Sequence, residues 1–297
     1  MMIHRPVLLK EAVDLLVTKD DGLYIDGTLG AGGHAAEILK RLGAEGRLIG
    51  IDRDSEILEK ARERLGGDAR VVLHHGAFDE WLDDEAKGGL KADGLLLDLG
   101  VSSLQFDEGG RGFSFAKDGP LDMRMDASAG ETAAEYLERV PEKELETVLK
   151  EFGEERFARR IAREVIHVRR QETIETTARL AAIVARAVPR GAWPKRIHPA
   201  TRTFQALRIA VNRELERLER VLKMAPSILK PGGRMAVISY HSLEDRRVKV
   251  AFAEGERAGI WKKLTKKPVV PSEDEVRENP RSRSAKLRVA EYTGVAA

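Results

Sequence analysis

The chain has 297 residues, 42% of them hydrophobic and 34% charged, which suits a globular protein of one large or two smaller domains rather than a disordered chain. It has no cysteine, which excludes disulfides, thiolate-held metals and any mechanism that uses a cysteine nucleophile. The net charge of +2 is unevenly spread: residues 151–220 hold sixteen Lys and Arg against nine Asp and Glu, and residues 261–290 hold nine against four, an asymmetry that suits a polyanionic partner.

No apolar run approaches the ~20 residues of a membrane span. The opening "MMIHRPVLLKEAVDLL" carries charges throughout and lacks the apolar core of a signal peptide, so the expected location is the cytoplasm. From there strands and helices alternate. "LYID" reads as a strand ending in glycines, and "HAAEILKRL" as a helix with Ile38, Leu39 and Leu42 on one face. "RLIGID" is a second strand, and "DSEILEKARERL" a second helix capped by Asp54 or Ser55. "ARVVLHHG" is a third strand. "GLLLDLG" is a fourth, apolar enough to be buried on both faces. This rhythm predicts parallel βαβ units in a doubly wound α/β sheet.

The rhythm breaks between about Gln105 and Thr203, where helical patterns dominate. Phe157, Ile161, Val165 and Val168 mark one amphipathic helix, and Leu180, Ile183 and Ala187 another. Next, Phe204, Leu207, Val211, Leu215, Leu218 and Leu222 form one stripe, closed by "KPGG". "RMAVISY" is a fifth strand and "RSAKLRVAEY" a last one. The α/β domain is therefore expected to be discontinuous, residues 1–104 and 204–297, with an all-helical insertion at 105–203 after strand four.

Chemistry concentrates at the strand ends. Gly27, Gly30, Gly32 and Gly33 separate strand one from its helix, where bare backbone admits a ligand and free N–H groups attract anionic groups. Asp52, at the end of strand two, stands where a carboxylate accepts both hydroxyls of an adenosine ribose. Two cofactors fit: a nicotinamide dinucleotide, since Gly30, Gly32 and Ala35 satisfy a loose G-x-G-x-x-G/A, or S-adenosylmethionine, with its methionine part over the glycines. Asp98 ends the very apolar fourth strand and is costly there unless it faces solvent or a ligand.

Nine segments in order, "HRPVLLKEAV", "DGTLGAGGH", "LIGIDRD", "LLLDLGVSSLQFDEGGRGFSF", "GPLDMRMD", "FGEE", "TRTFQALRIAVNREL", "VISYHSLEDRRVK" and "RSRSAKLR", resemble the bacterial 16S rRNA cytosine-N4 methyltransferase family. The resemblance runs from His4 to about Arg288. It implies a Rossmann-like class I methyltransferase fold that binds S-adenosylmethionine at the strand ends and methylates N4 of a cytidine in the decoding region of small-subunit rRNA. It implies cofactor contacts at Gly32, Gly33, His34, Asp52, Phe78, Asp98 and Gln105, with Gly30 in the same loop. On sequence alone Phe78 equally suits the core, and His34 reads as a helix-start residue whose backbone N–H matters more than its ring.

Cytosine N4 is a poor nucleophile, because its lone pair is delocalised into the ring. It needs hydrogen-bond acceptors and in-line positioning, but no metal. Candidate acceptors are Asp98 and the groups of Ser102 and Ser103; Tyr240 is placed to stack on the base and His241 to bond it or take its proton. A C5 target would need a thiolate, which this chain lacks. The base must be unstacked to be reached. Arg111, Arg124 and Arg202 lie in family-like motifs, Arg169, Arg170, Lys195 and Arg196 in the insert, and Arg281, Arg283 and Lys286 in the tail; the group, more than any single member, is expected to contact 16S rRNA within the small ribosomal subunit. The sequence leaves oligomeric state open, a homodimer included. Three rivals stand beside this reading: a methyltransferase with a protein or small-molecule acceptor, a nicotinamide oxidoreductase, and a non-catalytic RNA-binding protein.

Overall fold

The computed structural model describes residues 6–100, 109–195 and 197–295. Its strands are β1 (Leu23–Asp26), β2 (Arg47–Asp52), β3 (Val71–His75), β4 (Ala92–Asp98), β5 (Leu229–Ser239), β6 (Trp261–Lys263) and β7 (Lys286–Tyr292). The described α-helices are α1 (Leu9–Leu16), α2 (Gly33–Leu39), α3 (Ser55–Leu65), α4 (Phe78–Lys87), α5 (Ala133–Arg139), α6 (Glu142–Glu151), α7 (Ala158–Arg169), α8 (Thr177–Ala187), α9 (Thr201–Asn212), α10 (Glu214–Ile228), α11 (Ser242–Arg257) and α12 (Glu273–Glu278). None is long and apolar enough to cross a membrane. The chain divides into two compact units, residues 1–100 with 215–297, and residues 101–214.

The first unit holds one sheet, ordered β3-β2-β1-β4-β5-β7-β6. Strands β1 to β5 pair in parallel, β7 runs antiparallel to β5, and β6 antiparallel to β7. β4 is buried at six of its seven positions because helices cover both faces. Leu95 and Leu97 join Met235 and Val237 in a core closed by α4, α10 and α11. Leu96 joins Ala236, Ile238, Leu287 and Val289 in the opposite core, closed by α1, α2 and α3. Gly94 is bare because the Tyr24 ring lies only 2.6 Å from where a Cβ would stand. α3 begins as its sequence asks: the Asp54 carboxylate accepts from the N–H groups of Glu56 and Ile57, and Gly66 ends the helix in the left-handed region.

The second unit is helical, with α5 to α9 around a core that includes Leu137, Leu149, Ile161, Val165, Leu180, Val184, Phe204 and Leu207. Thr132 and Glu135 cap α5 reciprocally. The stripe from Phe204 to Leu222 is divided between two helices. Arg213 takes the left-handed conformation (φ 51°) and separates α9 from α10. Phe204 and Leu207 thus pack into the helical core, while Leu218 and Leu222 pack under the sheet. For the same reason the helical unit extends to residue 214, where the sequence places its end at 203.

Asn212 holds this corner. Its amide N–H donates to the carbonyls of Met123 (2.8 Å) and Arg208 (2.9 Å), and its side-chain oxygen accepts from the Met125 N–H (2.8 Å). Met123 is itself in the left-handed region (φ 63°) and fully buried. Asn212→Ala strands these backbone groups and is expected to cost on the order of 2–4 kcal/mol in denaturant unfolding; a loss below about 0.5 kcal/mol, the scale of an ordinary surface change, contradicts this role.

Candidate active site

The carboxyl ends of β2, β1 and β4 bring three carboxylates together around one loop. Asp26 pairs across the sheet with Gly50 and Leu96, so Asp52 and Asp98 each reach two residues further and flank the exit of β1. The glycine loop is pinned to both neighbours. The Gly27 N–H donates to the Leu96 carbonyl and the Leu29 N–H to the Ile51 carbonyl, each at 2.9 Å. The Gly30 N–H donates to Asp52 Oδ2 (2.8 Å), and the Asp98 N–H to Thr28 Oγ1 (2.5 Å). Gly30 and Gly32 have positive φ (53° and 74°), which side chains rarely adopt. Gly33 is bare for a different reason: a Cβ there would fall 2.2 Å from Pro6.

Asp52 is already engaged on both oxygens, since Oδ1 accepts from the Asp54 N–H (2.9 Å). Burial raises its pKa against the pull of these two bonds. A carboxylate offers about four lone-pair sites, so Asp52 retains acceptor capacity for a ligand hydroxyl. Asp26 is 1% exposed. Its Oδ1 accepts from the Thr28 N–H (3.2 Å), and its Oδ2 is buried without a hydrogen-bond partner. Burial pushes its pKa up to about 7, with the charges of Asp98 and Asp52 adding to the rise. Asp26 is a site residue that the sequence reading does not name, although it ends an apolar strand just as Asp98 does.

His34 stands at the start of α2. Its ring is buried, with Nε2 3.1 Å from the Val7 carbonyl and Nδ1 3.7 Å from Asp98 Oδ2. A carbonyl only accepts, so Nε2 carries the hydrogen and Nδ1 faces the carboxylate. On the other side, the Tyr240 phenol lies near Asp98; burial, with the Asp98 charge adding, holds its pKa well above the ordinary phenol value, so it remains an O–H donor. The Tyr240 ring lies over Gly100, 2.6 Å from where a Cβ would stand. Glu244 fixes this corner by accepting from the N–H groups of Tyr240 (2.8 Å) and His241 (3.3 Å). The His241 ring is 3.2 Å from Glu244 Oε1 and only 11% exposed, so it turns onto that carboxylate rather than standing open. Phe78 starts α4 with its ring in the core, 8% exposed, beside Ile51, Leu95 and Leu97, so it presents little face to a ligand.

Ser102, Ser103, Gln105 and Arg196 lie outside the described residues. Four of the candidate RNA cations are occupied within the fold. Arg111 donates to the carbonyls of Arg124 and Met125, Arg124 grips Asp122 through two nitrogens, and Arg169 donates to the carbonyls of Leu137 and Val140. Lys286 bonds Asp245, which also binds Arg288. Arg170, Lys195, Arg202, Arg281 and Arg283 are exposed; Arg202 donates to the Glu154 carbonyl.

A parallel sheet with an antiparallel strand inserted before its last member, and a glycine loop after β1, defines a Rossmann-like methyltransferase fold. The chain belongs to the MraW methylase family, whose model matches residues 1–293. It is 51% identical over 296 residues to the ribosomal RNA small subunit methyltransferase H of Acidobacterium capsulatum, covering 97% of this chain and 98% of that one. It is 50% identical over 305 residues to the protein of the same name from Thioalkalivibrio sulfidiphilus, covering 97% and 96%. Among solved structures it is similar to a S-adenosylmethionine-dependent O-methyltransferase from Thermotoga maritima, with 11% identity and a TM-score of 0.45, covering 100% of this chain and 70% of that one.

The raised Asp26 pKa has a stability consequence. Unfolded, this carboxyl titrates near 4; folded, it holds its proton up to about pH 7. Between those values the folded state binds the extra proton, so stability falls as pH rises. Asp26→Asn keeps the acceptor for Thr28 and removes the buried charge. Ligand-free protein carrying it is expected to melt roughly 4–8 °C above the parent at pH 8, and less than half as far above it at pH 5. A melting difference that does not change with pH contradicts the assignment.

Proposed function

We propose that this chain transfers the methyl group of S-adenosylmethionine to the exocyclic N4 of a cytidine in the decoding region of small-subunit (16S) rRNA. The observation that carries the reading is the trio of carboxylates around a bare glycine loop, with the buried Tyr240 phenol near Asp98, in a chain without a thiolate. Bound there, the cofactor supplies an electrophilic methyl group on a positively charged sulfur. Three carboxylates suit that charge, and a buried Asp26 oxygen without a partner suits a cationic ligand in particular. The same carboxylates would repel the pyrophosphate of a nicotinamide dinucleotide, which separates the two cofactors that fit the sequence. Gly30 and Gly32 leave room for close approach, and Asp52 receives the ribose hydroxyls.

The Asp98 carboxylate accepts a hydrogen bond from the N4 amine, which favours rehybridisation of that nitrogen. It would thereby aim the N4 lone pair at the methyl group that the bound cofactor supplies. As the N–C bond forms, N4 becomes strongly acidic and gives its proton to this acceptor. The Tyr240 phenol, an O–H donor near Asp98, is the group placed to orient that carboxylate. In this reading the exposed cations Arg170, Lys195, Arg202, Arg281 and Arg283 contact RNA phosphates, and the protein works in the cytoplasm on the small subunit. The relatives at about 50% identity are ribosomal RNA small subunit methyltransferase H proteins, which supports the substrate.

The test is transfer of labelled methyl to small ribosomal subunits, followed by digestion to nucleosides. N4-methylcytidine is the expected product, and Asp98→Asn is expected to lower kcat by about 10²–10⁴-fold. Label on C5, on ribose or on protein overturns the assignment.

A further inference from the structure

We propose that the connection between α8 and α9, residues 188–200, is a stacking platform for an unpaired base of single-stranded RNA, centred on Trp193. The inference rests on the RNA reading above and names a surface of the helical unit for that substrate. Trp193 is 36% exposed, yet its orientation is fixed: the indole N–H donates to the Val188 carbonyl at 3.1 Å. Its ring stands 5.9 Å from His198, which stands 4.9 Å from Phe115, which meets Phe204 in the helical core at 4.7 Å. His198 is set in turn by the Ala200 N–H, which donates to its Nδ1 (3.1 Å). An aromatic series thus leads from the core to the surface and ends in a preset indole. Isolated exposed apolar residues are ordinary, but Ile197 is also 46% exposed, and every described residue from 189 to 198 is exposed.

Charge selects the partner. Residues 176–213 contain eight Lys and Arg and no Asp or Glu. The Arg190 guanidinium lies 5.9 Å from the Trp193 ring centroid, and Lys195 is exposed two residues on. Arg179, Arg186 and Arg208 pair with Glu172, Glu164 and Glu214, so the cations beside the indole that remain for a ligand are Arg190 and Lys195. An RNA strand suits that combination: its phosphates take the cations, and a splayed base takes the aromatic face. Stacking of this kind tolerates any base, so the platform would orient the strand rather than read its sequence.

The test uses the full chain without cofactor and a short mixed-sequence single-stranded RNA. Titration is expected to quench tryptophan fluorescence in the parent and in Trp81→Phe, and to lose most of that quench in Trp193→Phe. Trp193→Ala is expected to weaken binding about 5- to 100-fold, the effect of losing one stacked base, while Trp193→Phe stays within about fivefold of the parent because its ring still stacks. Thermal unfolding confirms that both variants fold. Unchanged affinity in Trp193→Ala, a quench that persists in Trp193→Phe, or equal quenching by inorganic polyphosphate overturns the proposal. Parent protein that binds RNA through Trp193 but leaves small subunits unmethylated defeats the proposed reaction and spares the platform. Normal methylation with a KM unmoved by Trp193→Ala does the reverse.

Discussion

The site depends on how the loop after β1 is held between its two neighbouring strands. Asp52 receives the Gly30 N–H from one side, and Thr28 receives the Asp98 N–H from the other. A glycine loop left to itself has large conformational entropy to lose on binding. Here that entropy is lost during folding, and the backbone meets a ligand already shaped. The same two bonds place two carboxylates beside the loop, so shape and charge are set by one device. The device stores a cost at Asp26, whose buried oxygen lacks a partner and whose neighbours carry like charge. A cationic ligand relieves that cost on arrival, which ties its affinity to the instability of the ligand-free site.

What the sequence made legible follows from how local each signal is. β1 to β4 and the Asp54 cap were readable because apolar runs, a capping carboxylate and terminal glycines act within a few residues. Asp98 was readable because an acid ending "GLLLD" has few cheap alternatives. Asp26 ends "LYID" in the same way, but the glycines beside it draw the eye to the backbone, and its significance lies in what Asp52 and Asp98 do to it across the sheet. The break at Arg213 was not legible. The stripe on either side keeps its period, and the left-handed residue is an arginine rather than a glycine. β6 is three residues long, and α4, "FDEWLDDEAK", buries little more than Phe78, Asp79 and Leu82, so neither has a pattern long enough to announce itself.

The arginines show the limit of counting charge. Arg111, Arg124 and Arg169 sit in stretches that invite an RNA assignment, yet each guanidinium is used to satisfy carbonyls or a carboxylate of its own unit. Five donors in a rigid fork make arginine well suited to gather loose backbone, a use that composition cannot separate from phosphate binding. Only the partners distinguish the two, and partners are a property of the fold.

Charge also explains why donor site and cations are kept apart along the chain. Carboxylates at the ends of β1, β2 and β4 favour a sulfonium but repel a polyanion at short range. Phosphates must therefore be held by residues elsewhere, and screening limits the repulsion to about a Debye length, ~10 Å at ordinary salt. The part of RNA that can enter among the carboxylates is the base, which is neutral and presents N–H donors to them. In the proposed reaction an unstacked cytosine meets both demands: its amine finds acceptors, while its phosphates stay with cations elsewhere. A substrate whose charge and reacting atom coincided, such as a phosphate oxygen, would gain nothing from this arrangement, which is why it suits the neutral nitrogen of the proposed reaction.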